Sequence, residues 1–128
     1  MTVPRWLESI LSEYGRQLGL KNFGVAEKGA AVLRFENGSA LRFEYAMESL
    51  VMALEIPVQQ PSPVVFKRLL AYARPERRKE FTVRSAYMEK KDCALFAIRV
   101  SEHDITLPLI VSASTELMQL AEDFRNRI

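Results

Sequence analysis

AAVLRFENGSALRFEYAMESLVMALEI, residues 30–56, is the stretch whose reading decides the fold. Asn37-Gly38 sits between two alternating segments, Ala30 to Glu36 and Ala40 to Tyr45. An Asn-Gly pair in that setting is the strongest short hairpin signal, because both residues accept positive φ. Side chains alternate across a strand, so Leu33 and Phe35 point to one face and Leu41, Phe43 and Tyr45 answer them. Arg34, Arg42 and Glu44 take the opposite side. Ser49 to Ile56 then repeats the pattern, with Leu50, Met52, Leu54 and Ile56 alternating with Val51, Ala53 and Glu55. The segment predicts a three-stranded antiparallel meander.

Helices bracket this meander. From Pro4 to Leu18, apolar residues recur every three or four positions (Trp6, Leu7, Ile10, Leu11, Tyr14), and Gly19 suits a left-handed helix end. After the meander, PVQQPSP (57–63) breaks both helix and sheet, and Ser62 followed by Pro63 forms a helix start. A second helix runs to Arg74 and stops before Pro75. Glu80 to Met88 and Cys93 to Val100 alternate again and form a second hairpin. Thr106 to Arg127 carries a long stripe of Ile110, Ala113, Leu117, Leu120, Ala121 and Phe124, which predicts a closing helix. The order is α-β-β-β-α-β-β-α. It indicates an α+β fold, an antiparallel sheet with flanking helices, in a single domain over residues 1–128.

The second helix, SPVVFKRLLAYAR (62–74), is apolar on too many sides. Val65, Leu69 and Tyr72 lie on one face, and Phe66, Leu70 and Ala73 on the neighbouring one. A surface helix usually carries one apolar stripe a little over 100° wide. The wider stripe needs cover on a second side, either from the domain's own core or from another subunit.

The totals bound the function. The chain has 128 residues, 48% hydrophobic, 27% charged, with net charge +2, as an ordinary globular protein does. No apolar run approaches the ~18 residues of a membrane span. The start, MTVPRWLESIL, lacks a basic head and an unbroken apolar core, so it does not read as a signal peptide, and a cytoplasmic location is expected. A single cysteine, Cys93, excludes an intramolecular disulfide and reads as a small buried strand residue. Charge is uneven: Arg74 to Lys91 holds seven Lys and Arg against three Glu. That segment is a solvated turn or a surface for an acidic partner. Nucleic-acid binding through residues 74–91, with Phe81 and Tyr87 as stacking platforms, is a weaker alternative.

Every simple enzyme signature is missing together. The one histidine, His103, stands in Ser-Glu-His-Asp before the last helix, without a second ligand cluster or an obvious nucleophile at a meaningful spacing. Gly15-x3-Gly19 lies at a helix end rather than between strand and helix, so it makes no phosphate loop. No enzyme activity, cofactor or metal is expected.

The element order resembles the class I type III secretion chaperones, the Tir-chaperone-like family. So do Trp6-Leu7 through Gln17-Leu18-Gly19, Leu33 to Gly38 leading to Leu41-Arg42-Phe43, and Ile105-Thr106-Leu107-Pro108-Leu109. The last of these, with Glu116 to Leu120 after it, is most similar to small chaperones acting on the secretion gatekeeper protein. The resemblance implies a non-enzymatic cytoplasmic dimer that binds an extended segment of a secreted effector or gatekeeper and keeps it competent for secretion. It implies a dimer interface at Val65, Phe66, Leu69, Leu70 and Tyr72, with Phe81 and Val83 following, so that Leu69→Glu would break the dimer. It implies client contacts among Trp6, Ile10, Leu33, Phe35, Leu41 and Phe43, by strand addition and side-chain pockets. Homodimer and heterodimer with a second chaperone both remain open. The family is typically acidic, whereas this chain has a pI near 8.8. An adaptor domain of the secretion machinery is the alternative reading.

Overall fold

A computed structural model describes residues 3–20, 23, 29–59, 61–72 and 81–126. The elements are α1 (Arg5–Gln17), β1 (Ala30–Arg34), β2 (Ala40–Ala46), β3 (Ser49–Pro57), α2 (Pro63–Tyr72), β4 (Val83–Met88), β5 (Cys93–Ser101) and α3 (Leu107–Asn126). The α-β-β-β-α-β-β-α order read from the sequence is the order found. The basic residues Arg74, Arg77, Arg78 and Lys79 lie outside the described residues.

Five antiparallel strands form one sheet in the order β1-β2-β3-β5-β4. The β1-β2-β3 meander and the β4-β5 hairpin join through β3 and β5, where Ser49 pairs with Ser101 at one end and Pro57 with Cys93 at the other. The alternation fixes which face is covered. Leu41, Phe43, Leu50, Met52, Leu54, Ile56, Ala94, Phe96 and Ile98 are all buried, and Leu7 and Leu11 of α1 and Ile110, Leu117 and Phe124 of α3 bury against them. Tyr14 of α1 meets Phe43 of β2 edge to face at 5.5 Å, and Phe124 of α3 meets Phe96 of β5 at 5.7 Å. The packed helices therefore share one face, and the residues between the core positions look outward on the other.

Helix ends follow local chemistry. The Ser62 hydroxyl accepts the Val65 N–H at 3.3 Å, and the Thr106 hydroxyl accepts the Leu109 N–H at 3.2 Å. Each bond satisfies a first-turn donor that the helix itself leaves free. At the end of α1, Gly19 takes φ +80°. The Leu20 N–H reaches the Gly15 carbonyl and the Gly19 N–H reaches the Arg16 carbonyl, a paired C-terminal cap.

The turns depart from expectation. The Asn37-Gly38 hairpin forms, but only Gly38 has positive φ. The Phe35 N–H bonds Ser39 O, the Gly38 N–H bonds Phe35 O, and the Asn37 side-chain oxygen accepts the Ser39 N–H. This is a three-residue loop, in which the asparagine contributes its side chain rather than a left-handed backbone. The two-residue turn with positive φ at both centres lies instead at Met47 (51°) and Glu48 (59°), without Asn or Gly. Left-handed non-glycine backbone costs on the order of 1–3 kcal/mol. It is tethered from outside: the Glu102 N–H bonds Glu48 O at 3.0 Å, and the Tyr45 hydroxyl donates to the Glu102 carboxylate at 2.6 Å. That hydrogen bond, with burial and the negative charge beside it, pushes the Tyr45 hydroxyl up to about 12.

Phe124 is fully buried against Phe96 and lies on the last helix, so Phe124→Ala opens a cavity between α3 and the sheet. The variant should lose about 3–5 kcal/mol of unfolding free energy, read by urea denaturation; a loss under about 1 kcal/mol would mean that α3 is not part of the core.

Candidate functional site

The two apolar faces of α2 have different fates. Val65 and Leu69, four residues apart, are buried in the core of their own domain, Leu69 being only 3% exposed. Phe66 and Leu70, one position further round, form a stripe turned outward, 39% and 68% exposed, and Val64 is exposed as well. The Phe66 ring packs on Tyr87 of β4 with centroids 4.8 Å apart, so the outward stripe continues from helix to sheet edge. Phe81 is half-buried against the core and Val83 is buried. Of the seven residues expected at an interface, the structure leaves Phe66 and Leu70 on the surface and Phe81 at its margin, and the side chain of Tyr72 lies outside what is described. Val65, Leu69 and Val83 support the fold from within. The exposed Val64 and the half-buried Tyr87 join this stripe without having been among the seven. The signal for Tyr87 was the alternation it shares with Phe81 and Val83; Val64 carried none.

The residues expected to contact a client also divide. Leu41 and Phe43 are fully buried on β2, a strand flanked on both sides, so they cannot reach a client while the fold is closed. Trp6 on α1 is 41% exposed, and Ile10, Leu33 and Phe35 are half-buried around the same core. β1 carries Leu33 at one edge of the sheet, with no strand on its outer side among the described residues. Its outward N–H and C=O groups can pair with an added strand.

Charged chemistry is concentrated on the face away from the helices. Glu55 of β3 is buried there and receives Arg42 Nε at 2.6 Å and Lys91 Nζ at 3.3 Å. Burial alone would raise its carboxyl, but the hydrogen bonds and charges of Arg42 and Lys91 outweigh burial and hold it below the usual 4.5. Cys93 lies beside this cluster, and burial, then the Glu55 charge, pushes its thiol up, so it stays protonated at neutral pH. That is the state of a buried strand residue, not of a nucleophile. His103 is exposed on a single 3-10 turn, Glu102–Asp104. Among the described residues no group of three or more His, Cys, Asp or Glu could hold a metal ion, and no helix is long and apolar enough to cross a membrane.

The comparisons with known proteins agree with one another. The family model for the type III secretory system chaperone SycN matches residues 6–124. Among solved structures, one from the ExsC-ExsE complex superposes with a TM-score of 0.83 at 18% identity, covering 98% of this chain and 96% of that one. The type III secretion chaperone SycH from Yersinia pestis, solved with a fragment of YscM2, gives 0.68 at 17% identity, covering 92% and 98%. The HopA1-SchA chaperone-effector complex gives 0.65 at 16% identity, covering 97% and 96%. No curated protein matches the chain significantly.

The Glu55 cluster generates a pH dependence. A carboxyl held below its ordinary value stabilises the folded state fully above that value, and the contribution disappears as pH falls through the lower, folded value. The stability advantage of the native chain over Glu55→Gln should therefore be largest at neutral pH and shrink below about pH 4.5. Urea titrations of both proteins at several pH values measure it, and a constant difference down to strong acid would show that Glu55 is not held as an anion.

Proposed function

The chain belongs to the SycN family of type III secretory system chaperones, and from that premise we propose that it is a non-enzymatic cytoplasmic dimer holding an extended segment of a secreted effector or gatekeeper protein. The observation that supports this reading is the presence of two separate groups of accessible apolar side chains. One group, Phe66 and Leu70 with Tyr87 beside them, lies on α2 and β4; another, Trp6 with the half-buried Ile10, Leu33 and Phe35, lies on α1 and the edge strand β1. A protein whose work is to bind two partners at once, a second chaperone subunit and a client, needs two such surfaces.

The physics of each surface differs. The α2 stripe offers side chains without free main-chain groups, which suits helix packing between subunits. A stable interface of this kind buries roughly 1,200–2,000 Å² in total. The edge of β1 offers main-chain donors and acceptors, which suits an extended client that adds a strand and sets apolar side chains beside Leu33 and Phe35. Ordering the client costs about 2–5 kcal/mol, which keeps binding reversible enough for release into the secretion apparatus. Both a homodimer and a heterodimer fit the charge: two copies carry only twice +2, and a basic protomer also complements an acidic second chaperone.

Leu69 is the wrong residue with which to test the interface, because Leu69→Glu buries a charge in the protomer's own core and unfolds it. Leu70→Glu is the informative variant. Light scattering coupled to size exclusion should give twice 14.7 kDa for the native chain and 14.7 kDa for Leu70→Glu, with unchanged circular dichroism. A native monomer that doubles in mass only when an acidic second chaperone is added would replace the homodimer by the heterodimer. A Leu70→Glu protein that remains dimeric would refute the α2 interface. Trp6→Ala and Leu33→Asp should each weaken capture of the N-terminal segment of a secreted protein by about tenfold without altering the mass.

A further inference from the structure

The face of the sheet that carries no helix among the described residues is unlike a solvated one. Antiparallel sheets that present a face to water usually show polar residues there. Here the two central strands, β3 and β5, present Val51, Ala53, Leu95 and Ala97 outward, with Met88 of β4 and Val32 of β1 further out on the same face. Two depressions of about 320 Å³ and 300 Å³ lie on this face and share Arg42, Glu55 and Lys91, so they form one continuous groove. The rim is cationic. Arg34, Arg42, Arg84 and Arg99 share the face by strand register and Lys91 lines the groove, against Glu44 and Glu55. The face thus carries +3, more than the +2 of the whole chain. Arg34, Arg84 and Arg99 make no ion pair among the described residues.

We infer that this face docks an acidic amphipathic helix of a partner protein. The argument has three parts. The main-chain groups of β3 and β5 are paired on both sides, because each is an interior strand. An extended peptide laid across the face would find no main-chain partners and would leave its own N–H and C=O groups unsatisfied, whereas a helix satisfies them internally. Ala53 and Ala97, which face each other at the middle of the sheet, leave room for a helix backbone to approach closely. The apolar floor takes the helix's apolar stripe, and the arginines beyond it take glutamates on its flanks. Glu55 is neutralised by Arg42 and Lys91, so it does not repel an acidic partner. The site involves neither the α2 stripe nor the outer edge of β1, and it does not depend on the dimer or on the client reading.

The test uses the full chain labelled with nitrogen-15 and a synthetic helix of about 18 residues, long enough to cross the sheet, with leucines on one face and glutamates on the other. A lysine-for-glutamate version and a single-stranded oligonucleotide are the controls. Binding of the acidic helix should shift the amides of Ala53, Leu95, Ala97 and Arg99 and weaken as salt is raised. Arg99→Glu, at an exposed position that leaves the core untouched, should lower affinity by about tenfold, and Ala97→Glu should abolish it. Shifts confined to Phe66 and Leu70 or to β1, equal binding of the lysine helix, tighter binding of the oligonucleotide at this face, or no saturable binding would each overturn the proposal. The Leu70→Glu mass measurement reads a different surface, so either result can fail without the other.

Discussion

The pairing of β3 with β5 is the constraint on which the rest of the molecule depends. These strands are separated in the chain by α2 and β4, yet they pair over their whole length, from Ser49 with Ser101 to Pro57 with Cys93. Without that pairing the chain holds a three-stranded meander, β1-β2-β3, and a separate hairpin, β4-β5, and a lone two-stranded hairpin is marginal in water. With it, one five-stranded sheet presents a continuous apolar face broad enough for α1 and α3. The pairing also brings Glu55 to Lys91 and sets Glu102 beside Glu48, so an ion cluster and a turn tether both rest on it. Contacts this distant in sequence cost loop-closure entropy before they return any burial.

Because α1 and α3 fill one side of the sheet, the apolar and main-chain groups left accessible lie elsewhere. The chain between β3 and β4 includes α2, which packs Val65 and Leu69 inward and, among the described residues, leaves Phe66 and Leu70 exposed. β1 ends the sheet at one edge, with no strand on its outer side among the described residues. The far face keeps small apolar residues at its centre and arginines around them. These three surfaces differ in what they offer: packed side chains, main-chain pairing, and an apolar floor with a cationic rim. A chaperone that meets more than one partner needs such distinctions, since specificity among partners comes from differences between surfaces.

Strain and charge are placed where distant elements can hold them. Met47 and Glu48 adopt left-handed backbone without glycine, and the Glu102 amide and carboxylate fasten that turn through Glu48 and Tyr45. Glu55 is buried on a face that is otherwise open, and it is tolerated because two cations reach it from β2 and from the turn before β5. A single partner would leave a buried carboxylate half-satisfied, which is more costly than an apolar residue of the same size.

The sequence by itself determined the elements and the covered face of the sheet. Strand alternation places Leu50, Met52, Leu54 and Ile56 inward, and Ser62 and Thr106 start their helices where expected, because these signals are local and act over a few residues. The family resemblance was legible for the same reason, since it rests on element order and short stretches. Only the tertiary structure decided which apolar face of α2 is spare. Val65 with Leu69 and Phe66 with Leu70 are equally hydrophobic pairs at the same spacing, and nothing within the helix distinguishes them; the position of the sheet does. The same holds for Leu41 and Phe43, whose burial depends on strands and helices far away in the chain. Tertiary register also set the turns, because a hairpin's loop depends on the pairing of its two strands as well as on its own residues: Asn37-Gly38 opens to three residues, and Met47-Glu48 is held tight by the pairing of Ala46 with Ser49.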